Sequence, residues 1–240
     1  MKIIIVKNYQ ELSDEANKVM RKVLMENERP VLGLATGSSP IGLYQAMVKD
    51  YLAKLTDYQK VVTFNLDEYV GIPEDHPESY ATFMKNNLFS KVNIKMENVH
   101  LPKGNNKDES LSIEYEKDLA KYQVDIQLLG VGSNGHIGFN EPNTSFDSVT
   151  HVVELNESTR KDNARFFNND ISLVPTHARS MGLATIMKAK KILLIASSTN
   201  KAEAVNRMIN GPITEECPAS LLQKHPDVTV ILDHDAASLL

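Results

Sequence analysis

The sequence predicts an α/β protein: one domain built on an open, mostly parallel sheet with helices on both faces. Three observations predict it. Short apolar runs rich in β-branched residues recur along the chain. Most of them are too continuous for a sheet with one wet face, so they read as strands buried on both sides. Segments with helical spacing separate them, and strand–helix alternation favours a parallel sheet.

The elements follow in order. Strands are expected at 2–6, 31–35, 61–65, 124–130, 152–155, 191–196 and 228–232. After the first run, Leu12, Ala16, Val19 and Val23, with Leu24 beside them, repeat at helical spacing. After the second, Pro40 suits the first position of a helix, where its missing N–H costs nothing, and Leu43, Met47 and Tyr51 continue the apolar stripe. The polar stretch KGNNKDES at 103–110 reads as a surface loop. Residues 143–188 are the hardest to place, with Phe166, Phe167, two short helical patterns and isolated polar residues. They are expected to form a helical flap over the carboxyl ends of the strands, acting as a mobile lid. No repeat, low-complexity tract or linker divides the chain, so residues 1–240 are expected to form a single Rossmann-like catalytic domain.

Composition narrows the function classes. Hydrophobic residues make up 42% and charged residues 24%, the balance of an ordinary globular protein. The net charge is −5, so no general basic field attracts nucleic acid or a membrane surface. An anionic small substrate therefore needs a local cluster of donors. Cys217 is the single cysteine, which excludes an intrachain disulfide and any CxxC metal pattern. The apolar start MKIIIV is too short for a signal segment, and no run approaches the ~18–20 residues of a membrane span, so a cytoplasmic location is expected.

Four apolar runs end in residues able to do chemistry: ATGSSP (35–40), NLDEY (65–69), GSNGH (132–136) and SSTNK (197–201). If their strands are parallel, these ends meet at one rim, where open α/β sheets bind ligands. Thr36, Gly37, Ser38 and Ser39 can present hydroxyls and free N–H groups to an anion at a helix N-terminus, although a plain helix cap fits the same residues. Lys201 and Arg165 are available cations, and the GxGxxG fingerprint of dinucleotide binders is missing, so a monophosphate fits better. Asp67 and Glu68 are either a solvated turn or place at least one partly desolvated carboxylate over the rim, able to exchange protons with a carbon acid. His136 stands among Gly130, Gly132, Gly135 and Gly138, with Asn134 before it and Glu141 after it. It is either a structural hydrogen-bonder or an acid–base group whose tautomer a carboxylate fixes. One histidine among scattered carboxylates offers no metal-ligand spacing.

With TGSSP, TFNLDEYVG, HPESY, GVGSNGHIGFNEP and NARFF in order, the chain resembles the glucosamine-6-phosphate deaminases from Lys2 to about Leu232. The pair TFNLDEYVG and GHIGFNEP carries the resemblance. The 6-phosphogluconolactonases share the broad fold and a similar glycine turn but lack FNEP. The resemblance implies aldose–ketose isomerisation coupled to deamination, giving fructose 6-phosphate and ammonia without metal or organic cofactor, in amino sugar catabolism. It implies that Asp67 moves a proton between C2 and C1. It also implies that His136, oriented by Glu141 and Asn134, assists ring opening. The phosphate would rest on Thr36–Ser39 and Gly130, with Arg165 and Lys201.

Departures from the family pattern accompany these matches. Allosterically activated members have Asp where this chain has Asn134, and basic residues where it has His151 and Val153. The expectation is therefore no activation by an N-acetylated sugar phosphate, and a monomer or small homo-oligomer rather than an allosteric hexamer. The alternatives are a lactonase or isomerase of another phosphosugar, and a non-catalytic sugar-phosphate sensor.

Overall fold

The computed structural model describes residues 1–240. Its chain alternates as expected. β1 (Lys2–Val6) leads into α1 (Tyr9–Glu26), β2 (Val31–Leu34), α2 (Ile41–Leu52) and β3 (Val62–Asn65). β4 (Asp67–Tyr69), α3 (Tyr80–Asn87), β5 (Val99–His100), α4 (Ser110–Leu119) and β6 (Ile126–Leu129) follow. Next come β7 (His151–Glu154), α5 (Glu157–Asn163), β8 (His177–Ser180) and the single turn α6 (Leu183–Ile186). β9 (Ile192–Ala196), α7 (Ala202–Asn210) and β10 (Val228–Asp233) complete it.

Seven strands form one sheet in the order β1-β10-β9-β6-β2-β3-β5. Every pairing in it is parallel. All residues of β2, β3, β6 and β9 are buried, which requires cover on both faces and explains why these runs show no polar alternation. The helices supply that cover. α1 begins where the Asn8 side chain accepts the Glu11 N–H, and its Leu12, Ala16, Val23 and Leu24 are buried. α3 begins the same way, with the Ser79 hydroxyl oxygen accepting from the Thr82 N–H.

Three expectations change. β1 is an edge strand, and Ile3 and Ile5 face solvent at 40% and 49% exposure instead of being buried on both sides. The run at 152–155 is not a buried strand of the main sheet. It belongs to β7, which lies with β4 and β8 in a separate antiparallel sheet, and its side chains are half-buried or exposed. Short β-branched runs do not say which sheet they join. β4, β5 and β8 went unforeseen, because DEY and HARS are too polar or too short to read as strands.

The small sheet has its own apolar cluster, with Tyr69, Phe139, Leu155, Phe167 and Val174. Residues 143–188 supply most of it and stand at the carboxyl end of the main sheet, where the flap was expected, but the segment pairs β7 with β8 besides its short helices and is not purely helical.

Candidate active site

β9, β6, β2 and β3 are consecutive in the sheet, so the loops leaving their carboxyl ends converge. They enclose a cavity of about 210 Å³ lined by Thr36, Gly37, Ser38, Ser39, Asp67, Gly130, His136, Arg165 and Lys201. Two larger clefts, of about 650 and 660 Å³, lie elsewhere and contain none of these side chains. Of the predicted site residues, Asn134 and Glu141 alone do not line the cavity. They stand behind His136.

One end of the cavity is built for an anion. Gly37 takes φ +86°, a turn open to glycine at little cost, between β2 and α2. Pro40 is the residue before α2, one position earlier than expected, and it offers no side-chain cap of its own. Tyr9 braces the turn: its hydroxyl donates to the Ser38 and Ser39 carbonyls at 3.1 and 3.0 Å and accepts the Gly42 N–H at 2.8 Å. The Ser38 and Ser39 hydroxyls thus stand at the positive end of α2. Arg165 donates from Nη2 to Ser38 Oγ at 3.1 Å, and its guanidinium lies 4.7 Å from the Phe166 ring centre. Burial lowers the Lys201 pKa, Asp162 opposes that shift and Arg165 adds to it.

The two adjacent carboxylates separate completely. Asp67 is buried on the cavity wall, and burial first, then Glu68, raises its pKa to about 8. Glu68 turns away. Its Oε1 accepts the N–H of Tyr69 at 2.8 Å and of Tyr80 at 3.0 Å, and Oε2 accepts that of Ala81 at 2.9 Å. It holds the first turn of α3 and its own strand. Burial still leaves the Glu68 carboxyl above its usual range against the pull of those three bonds.

His136 lines the cavity from the turn that follows β6. A methyl group on Gly132 would stand 2.2 Å from His136 Cε1, so only glycine leaves room for the imidazole. Gly138, at φ +58°, brings the same turn beside Asp67: a Cβ there would lie 3.7 Å from Asp67 Oδ2. Gly130 has no such neighbour, since a Cβ would be in ordinary contact with Ser39 at 3.8 Å.

Glu141 Oε2 is 3.7 Å from His136 Nδ1, an ion-pair distance rather than the expected hydrogen bond, and Nδ1 has no other partner. Asn134 clamps both: its Nδ2 donates to Glu141 Oε2 at 2.8 Å, and its Oδ1 accepts the His136 N–H at 3.2 Å. Asn156 adds a side-chain donor to Glu141 at 3.1 Å. Burial works to raise the Glu141 pKa, but His136, Thr159 and Asn134 outweigh it and hold it at about 2. Glu141 is therefore a fixed negative charge beside the imidazole.

Several lining residues were not singled out. Thr159 and Asp162 reach the cavity from the flap, where no strand end announced them, and Tyr80 and Phe166 stood in HPESY and NARFF without a role. Ser197, Ser198 and Asn200 were visible as part of SSTNK but were not singled out. No three His, Cys, Asp or Glu side chains are grouped to hold a metal ion.

The sequence profile of a family described as "Glucosamine-6-phosphate isomerases/6-phosphogluconolactonase" matches residues 7–231. The chain is 50% identical over 242 residues to a glucosamine-6-phosphate deaminase of Thermoanaerobacter pseudethanolicus, covering 100% of this chain and 95% of the relative. It is 46% identical over 243 residues to glucosamine-6-phosphate deaminase 2 of Bacillus subtilis, covering 100% and 98%. Among solved structures, a monomeric glucosamine-6-phosphate deaminase superposes with a TM-score of 0.98 at 45% identity, over 100% of both chains. The 6-phosphogluconolactonase of Trypanosoma brucei superposes at 0.81 with 19% identity, covering 100% of this chain and 98% of that one, a likeness of fold alone.

Proposed function

The chain belongs to the glucosamine-6-phosphate isomerase/6-phosphogluconolactonase family, and on that premise we propose how its cavity converts glucosamine 6-phosphate and water to fructose 6-phosphate and ammonia. The single observation that carries the residue assignments is Asp67. It is a carboxylate buried on the cavity wall, free of protein hydrogen bonds and poised near neutrality. Such a group suits a carbon acid, because a base works best with a pKa near the working pH.

The phosphate rests on the Thr36–Ser39 turn and Gly130, with Arg165 and Lys201 as its cations. His136 opens the pyranose ring by passing the proton of the C1 hydroxyl to the ring oxygen, and Glu141, clamped by Asn134, stabilises the imidazolium. Asp67 then takes the proton from C2 of the open-chain aldehyde; the C2–H electrons form the C1–C2 double bond while the C1=O π electrons pass to O1, which takes a proton from the C2 ammonium to give an enolamine. Asp67 returns the proton to C1, which leaves an imine at C2. Water adds to that carbon and ammonia leaves, so the atoms balance without an oxidant or reductant. The segment 143–188, which brings Arg165 and Phe166 to the cavity, acts as the lid. The chain works as a monomer.

A coupled assay for ammonia release from glucosamine 6-phosphate tests the proposal. Asp67→Asn should lower kcat by about 10²–10⁴-fold with the fold retained. A variant that releases ammonia at the parent rate would remove Asp67 from the chemistry. Lactone hydrolysis moves no carbon-bound proton, so lactone hydrolysis without ammonia release would support the lactonase instead.

A further inference from the structure

Ser198 is a cavity-lining residue with φ 76° and ψ 153°, a backbone region that is essentially glycine's alone. It opens the turn that ends in Lys201, whose N–H donates to the Ser198 carbonyl at 3.1 Å. The Ser198 hydroxyl stays local, donating to the Ser197 carbonyl and standing 2.8 Å from Asn200 Oδ1. The serine side chain therefore does not explain why the backbone holds this conformation.

The restraint comes from the neighbouring strand. Leu232 of β10 pairs with Ala196 of β9, which puts Asp233 level with the start of the turn. Asp233 is buried, and both its oxygens accept the Ser198 N–H, at 3.1 Å to Oδ1 and 3.0 Å to Oδ2. Oδ1 also accepts the Ala236 N–H at 2.8 Å. A charge-assisted bond of this kind is stronger than a neutral one. Asp233 does not line the cavity, and a negative charge near an anion's seat opposes binding. Its presence there calls for a benefit that outweighs that repulsion.

We propose that Asp233 is a positioning residue for the phosphate: it pins Ser198 in a glycine-only conformation so that the 197–201 turn delivers the Lys201 ammonium to the cavity. The inference rests on reading the cavity as a sugar-phosphate site.

The test measures kcat and KM for glucosamine 6-phosphate and Ki for inorganic phosphate. Asp233→Ala should raise KM and Ki by about tenfold and leave kcat little changed. Asp233→Asn, whose amide oxygen can still accept the N–H, should recover part of that loss. In a Ser198→Gly background the same Asp233→Ala change should move Ki by less than about twofold, because glycine needs no pin to hold this backbone.

A fall in kcat with KM and Ki unchanged would make Asp233 a general structural residue and overturn the proposal. So would equal losses in the serine and glycine backgrounds, or failure of every Asp233 variant to fold. Lys201→Met separates the two readings. If it leaves the phosphate Ki untouched, the phosphate site itself is misassigned. If it raises Ki while Asp233→Ala does not, the site stands and the pin falls.

Discussion

Asp67 and Glu68 differ by one position and a strand's alternation sends them to opposite faces, one to the cavity and one to the backbone of α3. That difference sets the pH behaviour. Asp67 works as a base only when ionised, and burial holds its pKa at about 8. In the free enzyme kcat/KM should therefore rise with pH and bend near 8. A flat profile from about pH 6 to 9 would contradict the assignment.

Stability carries the opposite sign. The folded protein keeps Asp67 protonated up to about 8, whereas the unfolded chain releases that proton near 3.8. The stabilisation is full below the lower value and is lost as pH rises through the higher one. Asp67→Asn lacks this loss, so its Tm relative to the parent should climb between about pH 4 and 8 in parallel melts.

Gly132→Ala should displace the His136 ring and cut kcat by about 10²-fold while circular dichroism stays unchanged. The sequence showed that glycines crowd this histidine, but not what each makes room for. The contact that requires Gly132 is with the imidazole, whose direction depends on a tertiary turn that spacing does not encode.

At the scale of elements, the strand that carries Asp67 is held from behind. Arg179 on β8 is fully buried and has no carboxylate partner within hydrogen-bond reach. Its guanidinium donates to Ser112 Oγ at 2.9 Å, to the carbonyls of Asn106 and Asp108 at 3.1 and 2.7 Å, and to that of Lys103. The polar loop at 103–109 is thus folded around one cation. Through it Gly104 reaches β4: its carbonyl accepts the Gly71 N–H at 2.8 Å, and a Cβ there would meet the Tyr69 carbonyl at 2.0 Å.

Arg179→Ala should cost about 3 kcal/mol or more in denaturant unfolding, since it strands several carbonyls. Arg179→Lys should recover little of it, because an ammonium lacks the planar fork. Retention of parental stability by the alanine variant would mean that water replaces the guanidinium. None of this was legible beforehand. KGNNKDES looks like any solvated loop, and HARS hides both a strand and its anchoring cation. The long apolar strands were legible because burial on both faces leaves an uninterrupted apolar run, whereas the short, polar β4 and β8 of the small sheet leave none.

At the scale of the whole molecule, the convergence of four strand ends was readable, since alternation implies parallel strands and parallel strands share a rim. Their adjacency was not, because sheet order depends on crossovers that local sequence leaves open. The same scale governs assembly and regulation. Activated members of the resembled family place basic residues at the positions of His151 and Val153. Here both lie on β7, an edge strand of the small sheet. His151 Nδ1 is occupied 2.8 Å from the Val149 carbonyl, and Val153 packs on the small apolar cluster. Two cations that could hold an activator's phosphate are therefore missing from this strand. At the edge of the main sheet, β1 exposes Ile3 and Ile5 between Lys2 and Lys7, and lysines flanking a free edge oppose strand pairing between copies. Sedimentation at about 10 μM should give the mass of one chain; edge pairing would need tighter association than this short strand offers. Substrate saturation should be hyperbolic, and an N-acetylated sugar phosphate should act as a competitor at most. A sigmoidal curve that the same compound converts to a hyperbola would show a second, coupled site and refute the monomeric, unregulated reading together.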